Sequence, residues 1–192
     1  FSSRRRHTRS FHVTGVQTCA LPIYLLGAPY DAKSYKKIIT ENLKLAKSEG
    51  SSSTWVLDNH DRVRHATRYG LPKNIDLRMW LLSDGKSHPV DYQLGIQRAR
   101  AATLFLLALP GCTYMYQGEE LGLFEVEDLK EEDLQDPTWF RNVVKKIRKE
   151  KPSGLALIHT EKGRDGCRVP LPWTPVGESF GFRSEEHTSE LQ

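Results

Sequence analysis

Cysteine is scarce: Cys19, Cys112 and Cys167 are the only three in 192 residues. Their spacing matches neither a zinc-ligand set nor a disulfide framework, which excludes a metal-stapled module and a small secreted disulfide scaffold. A reduced, cytoplasmic protein is the resulting expectation. Long apolar runs are missing as well. The longest, Ala101 to Pro110, falls far short of the roughly 20 residues that cross a bilayer, so a membrane protein is not expected. The stretch from Phe1 to Ile23 contains no acid and no hydrophobic period, only Arg4, Arg5, Arg6 and Arg9, and no apolar segment follows the arginines as a secretory signal requires. The chain opens on Phe1 rather than Met, and a piece of a longer protein is expected. Repeats and low-complexity tracts are absent outside the two ends.

Those ends stand apart from the body. VTGVQTCALPI at 13–23 and RSEEHTSELQ at 183–192 closely resemble peptides translated from sequencing-adapter DNA, so 1–23 and 183–192 are read as non-native segments and set aside. The alternatives are a disordered basic arm with an acidic tail, or an arm that binds nucleic acid. The net charge of +4 does not help the last of these, because removing four arginines at one end, and one arginine and three glutamates at the other, still leaves the body mildly basic. No aromatic interleaving accompanies Arg4–Arg9 or the basic run Arg141–Lys151, and neither a nucleic-acid nor a membrane partner is expected.

The body is organised around Trp55-Val56-Leu57-Asp58-Asn59-His60-Asp61-Arg62-Val63-Arg64. An apolar, β-prone run that stops at Asn-His-Asp reads as a buried strand delivering an amide, an imidazole and a carboxylate to one point. In parallel α/β folds the C-terminal ends of strands are where chemistry sits. Upstream, Tyr35, Ile38, Ile39, Asn42, Leu43 and Ala46 follow helical spacing, with Asp31 as N-cap and Gly50 as stop. Downstream the chain turns irregular, with breakers at Gly70-Leu71-Pro72, Asp84-Gly85 and His88-Pro89. A long Ala- and Leu-rich helix then runs from Asp91 to about Leu109, and Cys112–Tyr116 reads as a second buried strand, parallel to the first. The acidic stretch Glu125–Asp136 is read as solvated surface, and the basic one from Arg141 as surface that forms a short helix. Gly163–Trp173 mixes glycines, prolines and paired charges and is read as a structured loop of the kind that lines sites.

Three of these segments resemble one family. Asn59-His60-Asp61 with Arg64 resembles the fourth conserved region of the α-amylase family, glycoside hydrolase family 13. Gly111–Gly122 (GCTYMYQGEELG) is similar to that family's eighth-strand motif, and Gly163–Trp173 (GRDGCRVPLPW) to a loop of its oligosaccharide-cleaving α-glucosidases. The resemblance implies an α/β fold, namely the last two βα units of a (β/α)8 TIM barrel over 24–123. It also implies a post-barrel region over 124–182 with an insertion near 141–158.

It implies a retaining α-glucosidase acting on a small oligosaccharide or disaccharide, with no cofactor and no metal. Retention needs a nucleophilic carboxylate and an acid/base carboxyl about 5–5.5 Å apart. The resemblance puts both upstream of Tyr24, so the chain alone is expected to be inactive. Asp61 is then the transition-state stabiliser, with Asn59, His60, Arg64, Arg168 and Trp173 binding substrate. Arg64 is expected to pair with Asp61 and Trp173 to offer a platform for a sugar face. Tyr116, Gln117, Glu120, Arg164 and Asp165 are expected to support the site, Glu120 as an orienting carboxylate. The plainer alternatives are a surface Asp61–Arg64 pair, a packing histidine at 60 and a loop pinned by its own salt bridges. A different class of function is a non-catalytic barrel homologue like the heavy chain of amino-acid transporters, which resembles these enzymes but acts as a binding partner; the intact Asn59-His60-Asp61 and Arg64 favour the enzyme.

Overall fold

The computed structural model of the chain describes residues 24–147, 155–177 and 180–182. The segments 1–23 and 183–192 and the tip of the expected insertion lie outside the described residues. No helix among the described residues is long and apolar enough to cross a membrane.

Among the described residues, four of the five α-helices begin on an aspartate whose carboxylate accepts a free N–H of the first turn. These are α1 (Ala32–Glu49) on Asp31, α3 (Leu77–Leu82) on Asp76, α4 (Tyr92–Leu107) on Asp91 and α5 (Pro137–Arg141) on Asp136. Helix α1 ends where expected, at Gly50 with φ 60°. The fifth helix, α2 (His65–Gly70), has no cap of its own; the Asp58 carboxylate reaches the His65 N–H at 2.8 Å instead.

Strands β1 (Thr54–Val56) and β2 (Cys112–Tyr114) pair in parallel, Trp55 opposite Thr113, with α2, α3 and α4 between them in the chain. Entry into β2 is tight. Gly111 has φ 120°, and a Cβ there would overlap the Ser53 carbonyl, which accepts the Cys112 N–H at 2.9 Å. The main core joins Leu25, Tyr35, Ile39, Trp55, Leu57, Tyr69, Ala102 and Leu106, so α1, α2 and α4 all close on β1. A smaller cluster of Val63, Leu71 and Trp80 seats α3. Both buried indoles are satisfied, Trp55 on the Pro110 carbonyl (2.8 Å) and Trp80 on that of His88 (2.9 Å).

Three expectations are corrected. The irregular stretch after Arg64 contains two helices of six residues each, too short to show a period. Strand β2 is not buried: Cys112 and Tyr114 are exposed, because among the described residues β1 is its only strand neighbour. The basic stretch is not helical beyond Arg141. Val143–Ile147 (β3) pairs antiparallel with Leu155–His159 (β4), as suits a run rich in β-branched residues. The hairpin's base is pinched: the Asn142 carbonyl accepts both the N–H (2.9 Å) and the hydroxyl (3.1 Å) of Thr160, and the Asn142 amide donates to Glu161 at 2.7 Å.

Candidate active site

Asp61 lies in the turn that follows β1. The Asn59 side-chain oxygen accepts the Asp61 N–H at 2.9 Å, a local turn that aims the Asp61 carboxylate outward, where its side chain keeps 44% of its exposure. One oxygen, Oδ1, receives Arg164 Nη1 at 2.6 Å and Arg168 Nη2 at 3.2 Å, with His60 Nε2 at 3.5 Å. Partial burial opposes ionisation, but the Arg164 hydrogen bond and the charges of His60, Arg164 and Arg168 outweigh it and hold the carboxyl below the usual range. Arg168 also donates through Nε to the His60 carbonyl at 2.8 Å, tying the late loop to the turn. Asp61, Arg62 and Arg164 line a cavity of about 500 Å³ together with Arg78, Glu161 and Lys162.

Arg64 points elsewhere. It is fully buried, donating Nη1 to the Gln117 carbonyl (2.9 Å) and Nη2 to the Cys167 carbonyl (3.0 Å) over the Tyr116 ring. The expected pairing with Asp61 is therefore replaced: Arg164 and Arg168 take that place, and Arg64 ties three chain segments together from within. Tyr116 joins the same knot, its hydroxyl donating to the Cys167 carbonyl at 3.1 Å, while Gln117 takes part through its main chain.

Glu120 is exposed, and it is its neighbour Glu119 that turns inward. Glu119 is buried and accepts the Tyr116 N–H (3.1 Å) and the Thr103 hydroxyl (3.3 Å), and burial raises its pKa. Asp165 faces away from Asp61, accepting the N–H groups of Gln135 and Asp136 at 3.0 and 2.9 Å. Trp173 keeps 71% of its exposure, so its ring face is open.

Beneath the turn lies a buried cluster of Asp58, His65 and Arg68, outside the three motifs. Asp58 accepts the His65 N–H, His65 Nδ1 (2.6 Å) and Arg68 Nη2 (3.2 Å), and Arg68 also donates to the carbonyls of Leu57 and Val63. This clamp fixes both ends of the Asn59–Val63 turn. The one sequence signal is that Asp58 directly precedes the Asn-His-Asp triplet. Asp58, His65 and Glu119 bring possible ligand atoms within 4.8 Å of one another. The Asp58 oxygens are committed to these donors, with the Arg68 cation alongside, whereas Glu119 is bonded to Tyr116 and Thr103 and the buried His65 Nε2 has no partner among the described residues.

Most of the chain also matches known proteins. The family description "Alpha amylase, catalytic domain" matches residues 10–190. The chain belongs to the alpha-amylase catalytic-domain family. Within it, an oligo-1,6-glucosidase of Parageobacillus thermoglucosidasius is 28% identical over 156 residues, covering 80% of this chain and 24% of that protein. An alpha-glucosidase of Saccharomyces cerevisiae is 26% identical over 193 residues, covering 94% of the chain and 29% of the relative. The crystal structure of an alpha-glucosyl transfer enzyme superposes with a TM-score of 0.52 at 31% identity, over 83% of this chain and 22% of that one. This alpha-amylase family chain thus spans about a quarter of the length of these relatives.

Proposed function

We propose that the chain is the C-terminal part of a retaining α-glucosidase barrel, with β1 as the seventh barrel strand, α4 as the seventh helix and β2 as the eighth strand. Residues 24–123 are then barrel, and 124–182 a post-barrel region carrying the β3–β4 hairpin as an insertion. On their adapter-like sequence residues 1–23 and 183–192 are foreign to it, even where the family match over 10–190 overlaps them. The substrate class is a short oligosaccharide or disaccharide ending in an α-glucosyl unit, and the scarcity of cysteine suits a cytoplasmic setting.

One observation carries this reading: the Asp61 carboxylate, at a strand end of the family fold, is accessible on one side and held ionised on the other by three cationic or protonatable groups. Such a carboxylate accepts hydrogen bonds from sugar hydroxyls. Those contacts strengthen as positive charge develops on the ring, which favours the transition state over the ground state. His60 and Arg168 stand beside the same oxygen as donors, and Trp173 is free to cover an apolar sugar face.

Titrating the chain with 1-deoxynojirimycin, a cationic glucose mimic, and following NMR signals tests this. The His60 and Arg168 signals should move together and stay still in Asp61→Asn. Binding that survives Asp61→Asn would overturn the assignment.

A further inference from the structure

Asp136 has no part in the reading above, yet it is the most enclosed acid bordering the site, its side chain fully shielded from solvent. Its Oδ2 accepts the Arg164 backbone N–H at 2.9 Å and Nε–H at 2.6 Å, and its Oδ1 accepts Arg164 Nη2 at 3.1 Å. Arg164 has one remaining nitrogen, Nη1, and that is the atom on Asp61 Oδ1 at 2.6 Å. A guanidinium gripped along one edge by a carboxylate has little rotamer freedom left, whereas a free arginine gives up side-chain entropy to reach one geometry.

Asp136 is itself fixed from two directions. It caps α5 through the Thr138 N–H at 2.9 Å, with Pro137 at the first helical position, and its own N–H is held by Asp165 Oδ2. The loop can approach it because residue 163 is glycine. Gly163 has φ 98°, and a Cβ there would press on the Asp136 side chain at 2.9 Å.

We propose that Asp136 is a positioning residue: it sets the direction of Arg164 and, through Nη1, the place and ionisation of the Asp61 carboxylate. The role in catalysis rests on the sugar-site reading of Asp61. The positional chain Asp136–Arg164–Asp61 does not.

The test follows the Asp61 carboxyl carbon through a pH titration of the full 192-residue chain labelled with carboxyl-13C aspartate, its signal assigned by its loss in Asp61→Asn. In Asp136→Asn the Asp61 midpoint should shift upward, and Asp136→Glu should recover part of the shift. In an Arg164→Gln background, Asp136→Asn should add nothing, since the effect passes through Arg164. An unmoved midpoint in Asp136→Asn, or an equal shift without Arg164, overturns the proposal.

Where Asp136→Asn does not fold, the unsubstituted chain decides. Its Arg164 Nε–H should exchange slowly with solvent, and exchange as fast as in free arginine overturns the proposal. None of these readouts uses sugar. Failure to bind 1-deoxynojirimycin therefore counts against the sugar site alone, and an unmoved midpoint against Asp136 alone.

Discussion

The Arg64 backbone N–H donates to the Glu125 carboxylate at 3.0 Å, joining the end of the Asn-His-Asp turn to the acidic segment inside the protein. Glu125 is buried, and its own N–H is held by the Thr67 hydroxyl at 2.7 Å. Burial pushes its carboxyl up to about 8, more than the Arg64 N–H and guanidinium pull it down.

A pH dependence follows from that shift. The unfolded carboxyl titrates near 4.5, so between there and pH 8 the folded chain keeps a proton that the unfolded chain releases. Glu125 therefore costs nothing below pH 4.5 and progressively destabilises the fold as pH rises to 8. At one unit per roughly 1.4 kcal/mol, the cost reaches several kcal/mol. Glu125→Gln should melt close to the unsubstituted chain at pH 4.5 and well above it at pH 8.5, by calorimetry. Equal melting temperatures at pH 8.5 would contradict the buried proton.

Arg64→Lys should cost about 2–4 kcal/mol in a urea titration, because an ammonium cannot span the Gln117 and Cys167 carbonyls and leaves one unpaired in the interior. Were Arg64 a surface partner of Asp61, the loss would be under about 1 kcal/mol.

Gly111→Ala should disrupt the start of the β1–β2 pair. The positive φ and the overlap with the Ser53 carbonyl together cost on the order of 3 kcal/mol or more. Hydrogen exchange of the Cys112 amide, bonded to Ser53, is the local readout. Unchanged protection there would show that the backbone relaxes without strain.

The chain by itself should release no 4-nitrophenol from a 4-nitrophenyl α-glucoside, since the reading assigns nucleophile and acid to a part of the barrel before Tyr24. A rate above the buffer blank that disappears in Asp61→Asn would overturn this.

Sequence patterns disclosed the long elements, because eighteen residues of α1 and sixteen of α4 give a period room to repeat. Asp31 and Gly50 were readable as its ends because capping chemistry is local. Helices α2 and α3 were not, since six residues each leave no room for a period to repeat. The site divides in the same way. Asn59, His60 and Asp61 stand adjacent in sequence and act at one turn, so their grouping was legible. Arg64 looked like an Asp61 partner by proximity alone, whereas Gln117, Glu125 and Cys167, which decide its direction, are brought up only by folding. Glu119 and Glu120 differ by one position, and only the packing of Thr103 and Tyr116 selects which turns inward.

The pinched base of the β3–β4 hairpin separates sequence distance from spatial distance. Asn142 and Thr160 are clasped by hydrogen bonds, so everything between them enters and leaves through one point. Asp136 and Arg164, on either side, meet without regard to how much chain is looped out. The hairpin is thus moored at two places, its neck and the His159 ring stacked on Trp139 of α5 at 3.4 Å, so the helix capped by Asp136 leans on it as well.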